Sequence, residues 1–256
     1  MITVEKKKYA EIPVLHIVKN QLKDDKLPLI LFVHGFGSAK EHNLHYAYLY
    51  AEEGFRVVLP EADFHGERDQ GLNELEMNFK FWDIVINEVK ELQIIKDELS
   101  DQGLIDEARI GVAGTSMGGI VTLGALTQYP WIKTAVSLMG SPYYEEFCRG
   151  QIEAMKDNDI DIPLSNEELD ELYRELRNFD LTLQPEKLDG RPLLFWHGER
   201  DKVVPFRYTY DFYQDIKPLY KDNPENIAFI VDTTMDHKVS REGLLASVDW
   251  FKKHLL

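Results

Sequence analysis

The chain has 256 residues, enough for one large hydrophobic core, and α/β chains of this length commonly form a single domain. Its 29 Lys and Arg residues stand against 45 Asp and Glu residues, and the net charge of −16 argues against nucleic acid or an anionic membrane as a partner. The one cysteine, Cys148, excludes an intramolecular disulfide, and no signal-peptide core or bilayer-length apolar stretch is found, so we expect a cytoplasmic protein.

Four strands and one helix are predicted in the first 60 residues. Apolar runs indicate strands over residues 2–9, 11–18, 29–33 and 55–60, with a polar helix over 40–53. The third strand runs into His34-Gly35-Phe36-Gly37, a turn whose backbone N–H groups can face an oxyanion, and we assign one oxyanion donor to the amide of Phe36. A polar loop over 63–69 follows the fourth strand.

The most informative motif is Gly114-Thr115-Ser116-Met117-Gly118. A long amphipathic helix, predicted over 79–99, precedes it. The motif itself lies between a predicted buried strand, residues 109–113, and a predicted helix, residues 117–129, that Pro130 stops. A serine on so sharp a turn needs neighbours without side chains, so that the turn can close and substrate can approach Oγ. The motif therefore predicts a nucleophile elbow, with Ser116 as nucleophile and the amide of Met117 as the second oxyanion donor.

A segment of different character, residues 142–188, follows the next predicted strand, 134–139, and resembles a small helical cap. Ser141-Pro142 predicts the start of one cap helix, and Ser165-Asn166-Glu167-Glu168 is a capping box that predicts the start of a second. The segment has 13 acidic and 5 basic residues, a net charge of −8, which would repel a strongly anionic substrate. Nearest the strand end, Tyr143, Tyr144 and Phe147 are expected to line the substrate pocket.

An acid and a base follow the next two predicted strands. Residues 191–196 run into a loop that contains Asp201, and residues 226–231 run into a loop that contains His237. A serine hydroxyl needs an imidazole to take its proton, and a carboxylate fixes the tautomer of that imidazole. Asp201 is preferred over its rivals Glu199, Asp232 and Asp236, because a carboxylate just past a strand end can fold back toward the histidine loop.

Together these motifs resemble the α/β-hydrolase superfamily, and most closely its small bacterial carboxylesterases, related to prolyl-oligopeptidase-like and dienelactone-hydrolase-like enzymes. The resemblance rests on His34-Gly35-Phe36-Gly37, Gly114-x-Ser116-x-Gly118, His197-Gly198-x-x-Asp201-x-x-x-Pro205 and Asp236-His237. It implies an α/β-hydrolase fold, an eight-stranded, mostly parallel sheet with helices on both faces. It also implies that loop 63–69 borders the active-site mouth, where His65 either contacts substrate or clamps the loop by hydrogen bonds. Dienelactone hydrolases differ in having a cysteine nucleophile.

The sequence thus predicts a single domain over 1–256, with a cap insertion at about 142–188, that hydrolyses carboxylic esters of short or medium acyl chains. We expect a small-molecule ester as its partner and no metal or other cofactor, since His42 and His45 lack a third ligand. A peptidase or amidase would use the same triad, and a binding protein that has lost turnover is a third interpretation. The sequence leaves the oligomeric state open, and a homo-oligomer is one possibility.

Overall fold

Eight strands form one sheet in the computed structural model, which describes residues 1–256. The strands are β1 (Ile2–Tyr9), β2 (Ile12–Lys19), β3 (Leu27–Val33), β4 (Arg56–Pro60), β5 (Ile105–Thr115), β6 (Thr134–Leu138), β7 (Leu193–Gly198) and β8 (Ile227–Asp232). Their order across the sheet is β1-β2-β4-β3-β5-β6-β7-β8. The pairs β1–β2 and β2–β4 are antiparallel, and every other pair is parallel. This confirms the predicted eight-stranded, mostly parallel sheet.

Eight α-helices accompany the sheet: α1 (Leu44–Glu52), α2 (Glu74–Phe79), α3 (Phe81–Asp101), α4 (Met117–Gln128), α5 (Tyr144–Asp157), α6 (Asn166–Arg177), α7 (Phe206–Ile216) and α8 (Arg241–Leu255). Alternate residues of the central strands face opposite sides, as the period of a strand requires. Leu29 and Leu31 join a core with α3, α4 and α7, whereas Ile30 and Phe32 join a second core with α1 and α8. Both faces of the sheet are therefore covered, which is why its strands are apolar almost throughout. None of the helices combines the length and apolar character that crossing a bilayer requires.

Two predicted helices have different boundaries in the structure. The helix predicted over 79–99 is α3, which begins two residues later and ends at Asp101, and it is preceded by a short helix, α2, that an Asn73–Glu76 capping box starts. The helix predicted over 40–53 begins as a short 3-10 turn, Lys40–Asn43, and is not a polar surface helix. Lys40 and Tyr50 are buried, since this segment packs against the sheet.

The insertion between β6 and β7 contains α5, α6 and two 3-10 turns, Leu181–Leu183 and Pro185–Leu188. The predicted capping box starts α6: Glu168 N donates to Ser165 Oγ, and Ser165 N donates to Glu168 Oε2. The predicted start of α5 at Ser141-Pro142 is wrong. That helix begins at Tyr144, and the carboxylate of Asp180 accepts hydrogen bonds from the amides of Tyr144 (2.8 Å) and Glu145 (3.2 Å). A residue near the end of the insertion therefore caps the helix at its beginning.

Candidate active site

The turn that carries Ser116 joins the end of β5 to the start of α4. Ser116 has φ 55° and ψ −116°, a backbone conformation that residues other than glycine seldom adopt. Two glycines make the turn possible. A β-carbon at Gly114 would overlap the backbone of Gly118, and one at Gly118 would overlap the carbonyl oxygen of Val33 at the end of β3. The strained, close-packed turn leaves Ser116 partly exposed at the carboxyl edge of the sheet, as a nucleophile elbow requires.

The structure brings the three predicted triad residues together from three separate segments. His237 Nε2 lies 2.8 Å from Ser116 Oγ, and His237 Nδ1 lies 2.7 Å from Asp201 Oδ2. Since a carboxylate can only accept at this position, Nδ1 carries a hydrogen and, in the neutral ring, Nε2 is left free to accept the serine proton. The three side chains form one continuous hydrogen-bonded line that can carry a proton from the hydroxyl to the imidazole.

The carboxylate of Asp201 is completely buried and fully hydrogen-bonded. Its Oδ1 accepts from the amides of Val203 (2.9 Å) and Val204 (3.0 Å), and its Oδ2 accepts from His237 and lies 3.2 Å from Nε2 of His197. Burial alone would raise the pKa of Asp201, but the hydrogen bonds from His197 and His237 outweigh it and hold that pKa well below its usual value. Asp201 therefore stays ionised beside His237.

His197 is a neighbour of the acid whose contact with it the sequence did not predict. Its Nε2 donates to the carbonyl oxygen of Val204 (2.9 Å) as well as facing Asp201, so it holds the acid loop closed. Its Nδ1 is buried and has no hydrogen-bond partner. The position of His197 before a glycine at a strand end was the only signal, and that signal predicts loop fixation rather than a contact with the acid.

The two predicted oxyanion donors, the amides of Phe36 and Met117, are both available. Met117 is the first residue of α4, where helical N–H groups have no partner within the helix. The Phe36 amide makes none of the hydrogen bonds found in turns and loops. The turn of Phe36 also lies against the elbow, because a β-carbon at Gly35 would be 3.5 Å from Cβ of Ser116. Both amides therefore belong to turns that meet at the nucleophile.

His65, predicted as a substrate-binding residue, instead clamps two loops. Its Nε2 accepts from the amide of Gly37 (2.9 Å) and its Nδ1 donates to the carbonyl oxygen of Asp63 (2.7 Å). Both ring nitrogens are occupied and the side chain is 4% exposed, so no polar atom is left for substrate. The clamp interpretation of this loop residue is the one that the structure supports.

The predicted pocket residues are also mostly in the core. Tyr144 is completely buried, and its hydroxyl donates to the carbonyl oxygen of Ile120 (2.7 Å) on the helix that follows the nucleophile. Phe147 is buried against Trp82, with ring centroids 6.2 Å apart. Only Tyr143 is partly exposed, and its ring packs against Tyr208. The prediction that Tyr144 and Phe147 line the pocket is wrong, because Tyr144 packs against α4 and Phe147 against Trp82 of α3.

A cavity of about 670 Å³ lies between α2, the start of α3 and residues 163–175, and no triad residue lines it. Its walls are Leu72, Glu76, Phe79, Lys80, Trp82, Asp83, Pro163, Leu164, Glu168, Leu172 and Glu175. The carboxylates of Glu41, Glu61 and Glu67 lie close enough to one another to hold a metal ion. Nζ of Lys40 lies 3.2, 2.5 and 2.8 Å from these three carboxylates, so an ammonium group already contacts all of them.

Comparison with known proteins points to one family. The model of the prolyl oligopeptidase family matches residues 41–256. The protein named "Putative esterase YitV" of Bacillus subtilis (strain 168) is 52% identical over 255 residues, and "Esterase YjfP" of Escherichia coli (strain K12) is 30% identical over 258, with both chains of each pair completely covered. The crystal structure of TT1662 from Thermus thermophilus has a TM-score of 0.76 at 20% identity, and the match covers 100% of this chain and 98% of that one.

Proposed function

Since the chain belongs to the prolyl oligopeptidase family of serine hydrolases, we propose that it cleaves carboxylic esters through an acyl-enzyme on Ser116. The observation that carries this proposal is the unbroken line from Ser116 Oγ to His237 (2.8 Å) and from His237 to Asp201 (2.7 Å). The names of two relatives that match over their full length support an ester as the substrate.

The proposed roles follow from the donors and acceptors. Ser116 Oγ attacks the ester carbonyl while His237 Nε2 accepts the hydroxyl proton, and the imidazolium then donates that proton to the leaving alcohol. Asp201 holds Nδ1–H and stabilises the imidazolium without taking the proton itself. Water then attacks the acyl-enzyme, and the same histidine removes its proton.

The amides of Phe36 and Met117 are the proposed donors to the oxyanion that develops in each step. Each lies on a turn that contacts the nucleophile, and neither is used by the surrounding loops. Such a donor typically stabilises the transition state by about 3 kcal/mol, because it is already oriented and needs no reorganisation during the reaction.

The proposed substrate is a neutral or cationic small ester with a short or medium acyl chain. The cap supports this, because it is small and its 13 acidic residues against 5 basic ones disfavour an anionic ligand. Tyr144 and Phe147 give no support, since they belong to the core. We also propose that the protein works in the cytoplasm, where its single buried cysteine, whose pKa burial raises to about 12, would stay a thiol.

A peptidase is the second candidate function, and the family name favours it. Both are tested with nitrophenyl esters of acetate, butyrate, hexanoate and decanoate, alongside the nitroanilides of the same acids. We expect turnover that is greatest for acetate to hexanoate and at least 10³ times faster for the ester than for the matched amide. The Ser116→Ala variant should lose this turnover. Comparable turnover of the amides would overturn the assignment in favour of a peptidase, and unchanged turnover by Ser116→Ala would overturn the site.

A further inference from the structure

Two loops at the carboxyl edge of the sheet are joined by a reciprocal pair of histidine contacts. The oxyanion loop, residues 34–38, follows β3, and the clamp loop, residues 61–68, follows β4. His34 in the oxyanion loop accepts a hydrogen bond at Nε2 from the amide of Ala62 (3.0 Å). His65 in the clamp loop accepts one at Nε2 from the amide of Gly37 (2.9 Å). Each loop thus lends an imidazole acceptor to a backbone donor of the other.

The tautomers of both rings follow from these contacts. Nδ1 of His34 lies 2.8 Å from the carbonyl oxygen of Gly35, and Nδ1 of His65 lies 2.7 Å from that of Asp63. Carbonyl oxygens only accept, so both Nδ1 atoms carry hydrogen and both Nε2 atoms are lone-pair acceptors. Burial lowers the pKa of both histidines, which keeps the rings neutral.

The clamp loop is itself held to α3, so His65 is attached to a rigid support. Arg68 binds both carboxylate oxygens of Glu91 (2.7 and 2.9 Å) and donates to the carbonyl oxygen of Glu61 (3.0 Å). On the other side of the loop, the amide of Asp63 donates to Glu88 (3.1 Å). A bidentate, partly buried arginine pair of this kind fixes the position as well as the orientation of the segment that it joins.

We propose that His65 is a positioning residue for the oxyanion hole, acting through the amide of Gly37; this rests on the proposed function. Phe36, whose amide is a proposed donor, is the residue before Gly37. Gly37 has φ +69°, and the Ser38 amide closes the turn onto Gly35 (3.1 Å). The bond to His65 fixes the orientation of the peptide between Phe36 and Gly37, and this restrains the neighbouring peptide, which carries the Phe36 N–H. The Phe36 ring also packs edge-on against His65 at 5.4 Å.

A positioning role predicts a particular kinetic signature. The oxyanion exists in the transition state and not in the bound ester, so loss of its donor lowers kcat and leaves KM nearly unchanged. A residue that only stabilised the fold would lower the melting temperature without this selective effect on kcat. A substrate-binding residue would instead raise KM.

Two amide variants separate the two bonds of His65. His65→Asn offers an N–H near the position of Nδ1, which keeps the bond to Asp63 but removes the acceptor for Gly37. His65→Gln reaches one bond further and places a carbonyl oxygen near the position of Nε2, which keeps the acceptor. We expect His65→Asn to lower kcat on a nitrophenyl ester by about 10- to 10³-fold with KM within about threefold, the upper figure being the loss of a whole oxyanion donor. His65→Gln should stay within about fivefold of wild type.

A second readout keeps this test apart from the choice of substrate. A fluorophosphonate probe forms a tetrahedral adduct on the serine, and its phosphoryl oxygen would use the same donors as the ester. Its labelling rate at Ser116 should fall for His65→Asn in parallel with kcat and recover for His65→Gln. If the wild type is labelled but cleaves no ester, the proposed substrate is wrong, while the ratio of labelling rates between the two variants still decides the role of His65.

Three results would overturn the proposal: equal activity of His65→Asn and wild type, equal losses in the Asn and Gln variants, or a lower kcat with an unchanged labelling rate. Should His65→Asn not fold, hydrogen exchange of the peptide containing residues 34–38 provides the measurement. Its Gly37 amide should be protected in wild type and in His65→Gln, and rapid exchange in the wild type would contradict the clamp.

Discussion

Asp201→Asn is the substitution whose outcome the geometry specifies most completely. The amide replaces one oxygen by an N–H donor, in a site where all neighbours are donors. If the remaining oxygen faces the amides of Val203 and Val204, the new NH₂ group faces His237 and His197. His197 still has the carbonyl oxygen of Val204, and His237 can accept at Nδ1 by changing tautomer. The opposite orientation would leave the two amides without an acceptor, so we expect the first.

The expected magnitude follows from that orientation. With hydrogen moved to Nε2, His237 donates to Ser116 Oγ and can no longer remove its proton. In serine proteases the corresponding change lowers kcat about 10⁴-fold, and at about 1.4 kcal/mol per tenfold this is about 5.5 kcal/mol of the barrier. We expect a loss of 10³- to 10⁴-fold here. The free energy of unfolding should also fall by about 1–3 kcal/mol, because His197 loses one of the two acceptors of its buried N–H.

The assay is kcat on a nitrophenyl ester, with urea unfolding measured on the same preparations. Asp236→Asn is the matched control, since this carboxylate adjoins His237 in sequence, whereas the two ring nitrogens of His237 bond to Asp201 and Ser116. It should stay within about threefold of wild type. An Asp201→Asn enzyme that kept more than a tenth of wild-type kcat, or a larger loss for Asp236→Asn, would refute the reasoning.

Three further predictions concern stability and packing. Burial and Arg56 lower the pKa of His16 from 6.5 to about 3, so between pH 6.5 and 5 the unfolded chain binds a proton that the folded protein does not bind. The free energy of unfolding should therefore fall by about 2 kcal/mol over this range. Urea unfolding should show a smaller fall for His16→Gln, and an equal fall would contradict the assignment. Gly118→Ala should abolish ester hydrolysis and lower the free energy of unfolding by more than about 2 kcal/mol, because the new methyl group would overlap a backbone carbonyl. Gly150→Ala is the control: a β-carbon at this helical position meets open space, so the variant should keep its activity and its melting temperature should not fall. Tyr144→Phe should cost about 1 kcal/mol of unfolding free energy and leave kcat and KM unchanged within about twofold; a large change in KM would restore Tyr144 to the pocket.

The elements that the sequence predicted well are those whose signal is local. Strands β3 and β7 and the second half of β5 are apolar runs that end in glycine-containing turns, so both the strand and the site-bearing loop behind it can be recognised. Chain order alone predicted that Ser116, Asp201 and His237 come together, because parallel strands present their carboxyl ends at one edge of the sheet. The hydrogen bonds of 2.7 and 2.8 Å that join them were outside what a sequence can specify.

The errors arose where a distant residue decided the local structure. The start of α5 depends on Asp180, which lies 36 positions after the amide that it caps, and no local pattern contains that information. Tyr144, the first residue of that helix, lies in the core, where its hydroxyl donates to the carbonyl oxygen of Ile120. The sequence left both interpretations of His65 open for the same reason, because its partner Gly37 lies 28 residues away in another loop. The short helix α2 is different, since the Asn73–Glu76 capping box that starts it is a local signal present in the sequence.

The most direct test of the central claim is the mass of the covalent intermediate. Wild-type protein mixed rapidly with nitrophenyl butyrate and quenched in acid should gain one butyryl group, and peptide analysis should locate it on Ser116. Ser116→Ala should gain none and lose turnover. Ester turnover that continues with no acyl adduct, or with the adduct on Cys148 or another residue, would contradict nucleophilic catalysis by Ser116.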